Sequence, residues 1–208
     1  MARVHTRLIP FLLFTVIVSF SSPVLPEEMT EDELVIHDFE TGMLVNNLEA
    51  DSGMWDTDPE DDSAGCEVEI VDMEGPAGPN RVLKIAYDLD SDTERVPKNG
   101  FWTKLRNLDA SRFDQIEFDV RGDASAGFTS TFLVEIKKYK DAERIEKLRG
   151  SALIKNVSAE WQTLRILLNK MTGILEFTDP ETWKDPSVGR RDIDELVIVL
   201  EGRRVDRK

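Results

Sequence analysis

Residues 113–123, FDQIEFDVRGD, decide how the chain is read. Ile116, Phe118 and Val120 alternate with Glu117, Asp119 and Arg121, a period of two that sets an apolar row on one face of a strand and a charged row on the other. Gly122-Asp123 closes the strand with turn-forming residues. A half-buried strand needs partners, and the sequence offers one before it (100–106) and one after it (131–139). Working outward, short alternating segments recur at 67–72, 81–89, 144–148, 152–155, 161–168 and 195–201, separated by Gly, Pro, Asn and Asp. Strands of this length and spacing predict an all-β fold, an antiparallel β-sandwich. Residues 35–39 read as an edge strand, 43–48 as a short irregular one, 54–66 as an acidic loop, and 169–192 as an insertion with a helical turn starting near Pro180.

Length and composition bound the rest. The chain has 208 residues, and 41 acidic against 26 basic side chains give a formal charge of −15. That balance opposes binding to nucleic acid or an anionic membrane surface, both of which need clustered Lys and Arg. Residues 1–22 have the pattern of a secretory signal peptide: Arg3, His5 and Arg7, then an apolar run from Leu8 to Phe20. The run is shorter than the roughly 20 residues a membrane span needs, so no stable membrane insertion is expected after cleavage. Residues 23–33 read as a flexible linker and 34–208 as one domain, and the reading implies a secreted or periplasmic protein. Cys66 is the only cysteine and has no disulfide partner in the chain.

Four motifs then occur in order: His37-Asp38-Phe39-Glu40-x-Gly42; Val82-Leu83-Lys84-Ile85-x-Tyr87-Asp88; residues 109–123, which contain the opening stretch; and Trp161-Gln162 with the strand after it, to Leu168. Together they resemble the galactose-binding-like jelly rolls, most closely the family 11 carbohydrate-binding modules and the related domain of complex I intermediate-associated protein 30. The resemblance implies a jelly-roll fold over 35–202 and a structural calcium, with Asp38 and Glu40 as its N-terminal metal ligands. It also implies one more closing strand than this chain has after 195–201, where GRRVDRK ends it. The partners implied are a polysaccharide or oligosaccharide, or, for the assembly-type relative, a protein.

Sugar recognition on such a fold needs aromatic faces and fixed polar groups. Alternation puts Trp102 with Lys104 and Arg106, Glu117 with Asp119, and Glu135 with Lys137 on outward faces of their strands. Trp102, Lys104, Glu117, Asp119, Glu135, Lys137 and the loop residue Trp183 are therefore the candidate ligand-binding set; a charged outer face laced with ion pairs is the competing reading. Trp55 is expected in a loop, as platform or plug, and Trp161 in the core. Catalysis is not expected. Neither His5 nor His37 is placed to serve a Ser or Cys nucleophile, and among so many acids a chance carboxylate pair such as Glu117 and Glu135 is no signal for glycoside hydrolysis. Asp56, Asp58, Glu60 and Glu67 match the ligand spacing of a calcium-binding helix-loop-helix, but Asp61 stands where that loop needs Gly and Pro59 stiffens its middle.

Overall fold

In the strand that opened the reading, β6 (Gln115–Gly122), Ile116, Phe118 and Val120 are buried while the residues between them stay half-exposed. The computed structural model describes residues 11–15, 33–61, 64–89, 96–140, 145–172 and 190–202. Its other strands are β1 (Phe11–Thr15), β2 (Ser52–Asp56), β3 (Gly65–Gly75), β4 (Gly78–Asp88), β5 (Lys98–Leu108), β7 (Thr131–Lys140), β8 (Ile145–Lys155), β9 (Gln162–Leu167) and β10 (Ile193–Glu201). They form two five-stranded sheets, β3-β4-β1-β6-β9 and β2-β5-β10-β7-β8. Every pairing is antiparallel. The expected all-β sandwich is the fold observed.

The core lies between the sheets. Ile116, Phe118 and Val120 of the first face Phe101, Phe132, Val134, Ile136, Leu196 and Ile198 of the second in one hydrophobic cluster. Phe118 and Phe132 meet across the layers with ring centroids 6.2 Å apart, and Phe39 meets Phe101 edge-on at 6.5 Å. Such contacts fix the spacing of the layers and add to the hydrophobic term. Asn99 of β5 fastens one corner, donating from Nδ2 to the carbonyls of Gly65 and Asp88 at 2.7 and 3.1 Å.

Several expected elements differ. Residues 35–39 are not a strand, because side chains there take over backbone groups. His37 Nδ1 accepts from the Phe39 N–H, Asp38 Oδ1 accepts from the Glu40 N–H, and Phe39 itself has φ +62°. At 43–48 only an isolated bridge forms, Val45 to Asp51. The expected acidic loop at 54–66 opens instead with β2, which pairs with β5 from Ser52–Thr103 to Asp56–Asn99. The two strands expected at 144–148 and 152–155 are one, β8, running through Gly150 opposite Ile136. β1 lies inside the segment that reads as a signal peptide, and it joins β4 to β6 at the centre of the first sheet. The helical turn expected near Pro180 falls outside the described residues. No helix among the described residues is long and apolar enough to cross a membrane.

Candidate functional site

The outer faces of the two sheets differ in kind. On the first sheet the charged row is tied down by neighbours. Arg165 Nε bonds Glu117 Oε2 at 2.5 Å, Thr163 Oγ1 bonds Asp119 Oδ1 at 2.6 Å, Lys84 pairs with Glu69 and Arg81 with Asp72. Trp161, expected in the core, lies on this outer side instead. It is half-buried, donates from Nε1 to the Glu74 carbonyl, and has the Arg121 guanidinium 5.3 Å from its ring. This face is the ion-pair-laced surface that was the competing reading.

The second sheet carries two tryptophans on its outer face, each opposite a glycine. The register sets Trp102 against Gly53 and Trp55 against Gly100. A Cβ on Gly53 would sit 3.1 Å from the Trp102 indole, whose Nε1 donates to the Met54 carbonyl at 2.9 Å, so the ring lies across β2. Trp55 reaches the other way, over Gly100, donating to the Ile198 carbonyl on β10 at 3.2 Å. Gly100 has φ +150°, and a Cβ there would stand 2.1 Å from the Ile198 oxygen. Glycine is thus what lets β5 approach β10 beneath Trp55. Two indoles laid over bare backbone make an aromatic platform, with the Lys104 ammonium 5.3 Å from the Trp102 ring.

Beside the platform is a polar group that alternation sets away from the core. Glu135 and Glu195 are only 3% and 5% exposed, although Val134, Ile136 and Leu196, their chain neighbours, point into the core. Tyr139 Oη donates to Glu195 Oε2 at 2.5 Å, Lys104 Nζ lies 3.7 Å from Glu195 Oε1, and Lys137 Nζ lies 3.6 Å from Glu135 Oε2. A buried carboxylate held by cations and a phenol is a fixed acceptor position. Further along, an open cleft of ≈ 520 Å³ is lined by Glu49, Asp51, Lys104, Arg106, Tyr139 and Asp194. Arg106 and Asn107 both have positive φ, at a shift in the β5–β10 register between Ile193 and Glu195. The irregularity turns Arg106 so that its guanidinium donates to the Glu49 carbonyl.

Of the expected ligand set, Trp102, Lys104, Glu135 and Lys137 come together on this face. Glu117 and Asp119 lie on the other sheet and do not join them. Trp183 is outside the described residues. Trp55, Tyr139 and Glu195 complete the group and were not in the set read from the sequence. The available signal for Trp55 was the pair of glycines, Gly53 and Gly100, each set against a tryptophan.

The metal reading centres on Asp38 and Glu40. Asp38 Oδ1 accepts from the Glu40 N–H and Oδ2 from Asn47 Nδ2, while the Glu40 carbonyl accepts from Arg81 Nη1. Among the described residues no third His, Cys, Asp or Glu joins them. This pair alone does not supply the six to eight oxygens that calcium takes. Cys66 is buried, and its thiol is pushed up to about 12 by burial and then by the charge of Asp56.

No protein-family model matches the chain, and no curated protein matches it in sequence. Solved structures do match. A family 11 carbohydrate-binding module of a cellulosomal cellulase of Clostridium thermocellum aligns with TM-score 0.51 at 16% identity, over 73% of this chain and 81% of that one. The fold is that of the family 11 carbohydrate-binding modules. A second such module from Clostridium thermocellum, solved in complex with a β-1,3-1,4-mixed-linked tetrasaccharide, aligns equally well, TM-score 0.51 at 18% identity over 73% of this chain and 82% of that one. At these identities the likeness to the family 11 modules is one of fold.

Proposed function

We propose that the protein is an exported, non-catalytic carbohydrate-binding module that takes a polysaccharide or oligosaccharide along the outer face of its second sheet. The observation that carries the reading is the pair of indoles, Trp55 and Trp102, laid over the glycines of each other's strand and adjoining fixed polar groups. Flat aromatic surface meets the C–H face of a sugar ring, while Glu195, Tyr139 and Lys104 offer acceptors and donors for hydroxyls. Residues 100–106 of β5 run about 20 Å along this face, at roughly 3.4 Å per residue, which suits a chain of several sugars better than a single one. The likeness to a module solved with a mixed-linked tetrasaccharide supports the choice of ligand class.

Export rests on the composition of residues 1–22. The non-catalytic reading rests on the contacts of the buried acids, which serve as fixed acceptors.

Affinity electrophoresis through gels containing soluble polysaccharides, β-1,3-1,4-glucan first, tests the reading. Retardation of the wild type by at least one polysaccharide, abolished in Trp102→Ala, supports it. Migration unaffected by every polysaccharide refutes it.

A further inference from the structure

The centre of the first sheet is filled by a segment whose sequence reads as a leader. β1 runs antiparallel to both its neighbours. Phe11, Leu12, Leu13 and Phe14 pair with Ala86, Ile85, Lys84 and Leu83 of β4. Leu12, Leu13, Phe14 and Thr15 pair with Gly122, Arg121, Val120 and Asp119 of β6. Among the described residues the sheet order gives β4 and β6 no hydrogen bonds to one another, and β1 is the strand that joins β3-β4 to β6-β9. At about 4.8 Å per strand spacing, removing it leaves a gap of about 9.6 Å between two facing rows of backbone N–H and C=O groups. Such rows at the middle of a sheet cannot stay unpaired without cost. Leu12 and Phe14 hold positions opposite Ile85, Leu83 and Val120, all core residues, whereas Leu13 is opposite Lys84 and Arg121.

We propose that the gap between β4 and β6 is a peptide-strand site, that its ligand is this chain's own apolar segment Phe11–Thr15, and that the segment stays bound there whether or not the chain is cut between it and the domain. The ligand class is an extended peptide with bulky apolar residues at alternate positions, recognised through its backbone on both edges. Export through residues 1–22 therefore precedes folding of this sheet, because once the segment is paired its backbone is bonded on both sides and closed to a translocation channel.

The test uses the full chain with a specific protease sequence placed within residues 23–32. After cutting, the expected result is that the N-terminal fragment co-elutes with the domain on native size exclusion and separates in 6 M guanidinium chloride. A fragment that separates under native conditions, leaving a domain of unchanged Tm, overturns the proposal. Leu13→Pro in the uncut chain gives a second readout. Proline removes a ladder donor from a central strand, and at about 3 kcal/mol Tm should fall by roughly 6–12 °C; no change in Tm overturns the proposal.

Discussion

His37 gives the sharpest pH prediction. It is 1% exposed, stacks on Phe39 with ring centroids 3.9 Å apart, and uses Nδ1 to accept the Phe39 N–H. Its Nε2 is buried with no hydrogen-bond partner among the described residues. Burial lowers its pKa from 6.5 to about 4, with the charge of Asp38 opposing the shift. Because the folded value is the depressed one, the unfolded chain takes up the proton first. The stability carried by neutral His37 is therefore complete above about pH 7 and is lost as pH falls from 6.5 towards 4. At about 1.36 kcal/mol per pH unit the full loss is roughly 3 kcal/mol, of which about 2 kcal/mol falls between pH 6.5 and 5. Asp109 and Asp123 are held below the usual carboxylate range by hydrogen bonds from Ser111 and Ser125, so their contributions are lost only at lower pH. Urea unfolding of the wild type and His37→Gln at half-unit steps from pH 7.5 to 5 is the assay. The glutamine keeps an acceptor and removes the titration, so the wild type should lose about 2 kcal/mol more than the variant across the window. Parallel slopes for the two proteins would refute the reasoning.

Gly100→Ala puts a methyl 2.1 Å from the Ile198 carbonyl oxygen and should destabilise by more than about 3 kcal/mol, read as a lower urea midpoint with unchanged slope. Tyr139→Phe removes the 2.5 Å bond to buried Glu195; a loss of about 1–3 kcal/mol in chemical denaturation is expected. Asp38→Ala frees the Glu40 N–H and Asn47 Nδ2 and should cost about 1 kcal/mol, the same with 5 mM calcium as with EDTA in differential scanning calorimetry. A Tm that rises with calcium in the wild type alone would instead assign Asp38 to a metal site.

The strands whose alternation is clean were legible: β6 announces its buried row in Ile116, Phe118 and Val120, and Val134 and Ile136 do the same for β7. Alternation says which face of its own strand a residue occupies, but not which sheet the strand joins. Glu117 and Glu135 therefore looked equivalent, and only long-range pairing separates them, β6 with β9 and β7 with β10. β2 was hidden because Ser52-Gly53-Met54-Trp55-Asp56 contains no β-branched residue, and its extended form comes from pairing with β5. Gly150 read as a break but is carried inside β8 by its neighbours on β7. The reverse error came at 35–39, where an apolar pattern is overruled by the local hydrogen bonds of His37 and Asp38.

The central claim is that one outer face binds sugar and the other does not. Titration calorimetry with the polysaccharide that retards the wild type, comparing Trp102→Ala with Glu117→Ala, tests it most directly. Removing the indole should weaken binding by about 10- to 150-fold, the value of a buried aromatic contact of about 1.5–3 kcal/mol, while Glu117→Ala, on the opposite sheet, leaves the affinity unchanged. Equal loss in both variants, or loss in Glu117→Ala alone, would contradict the account.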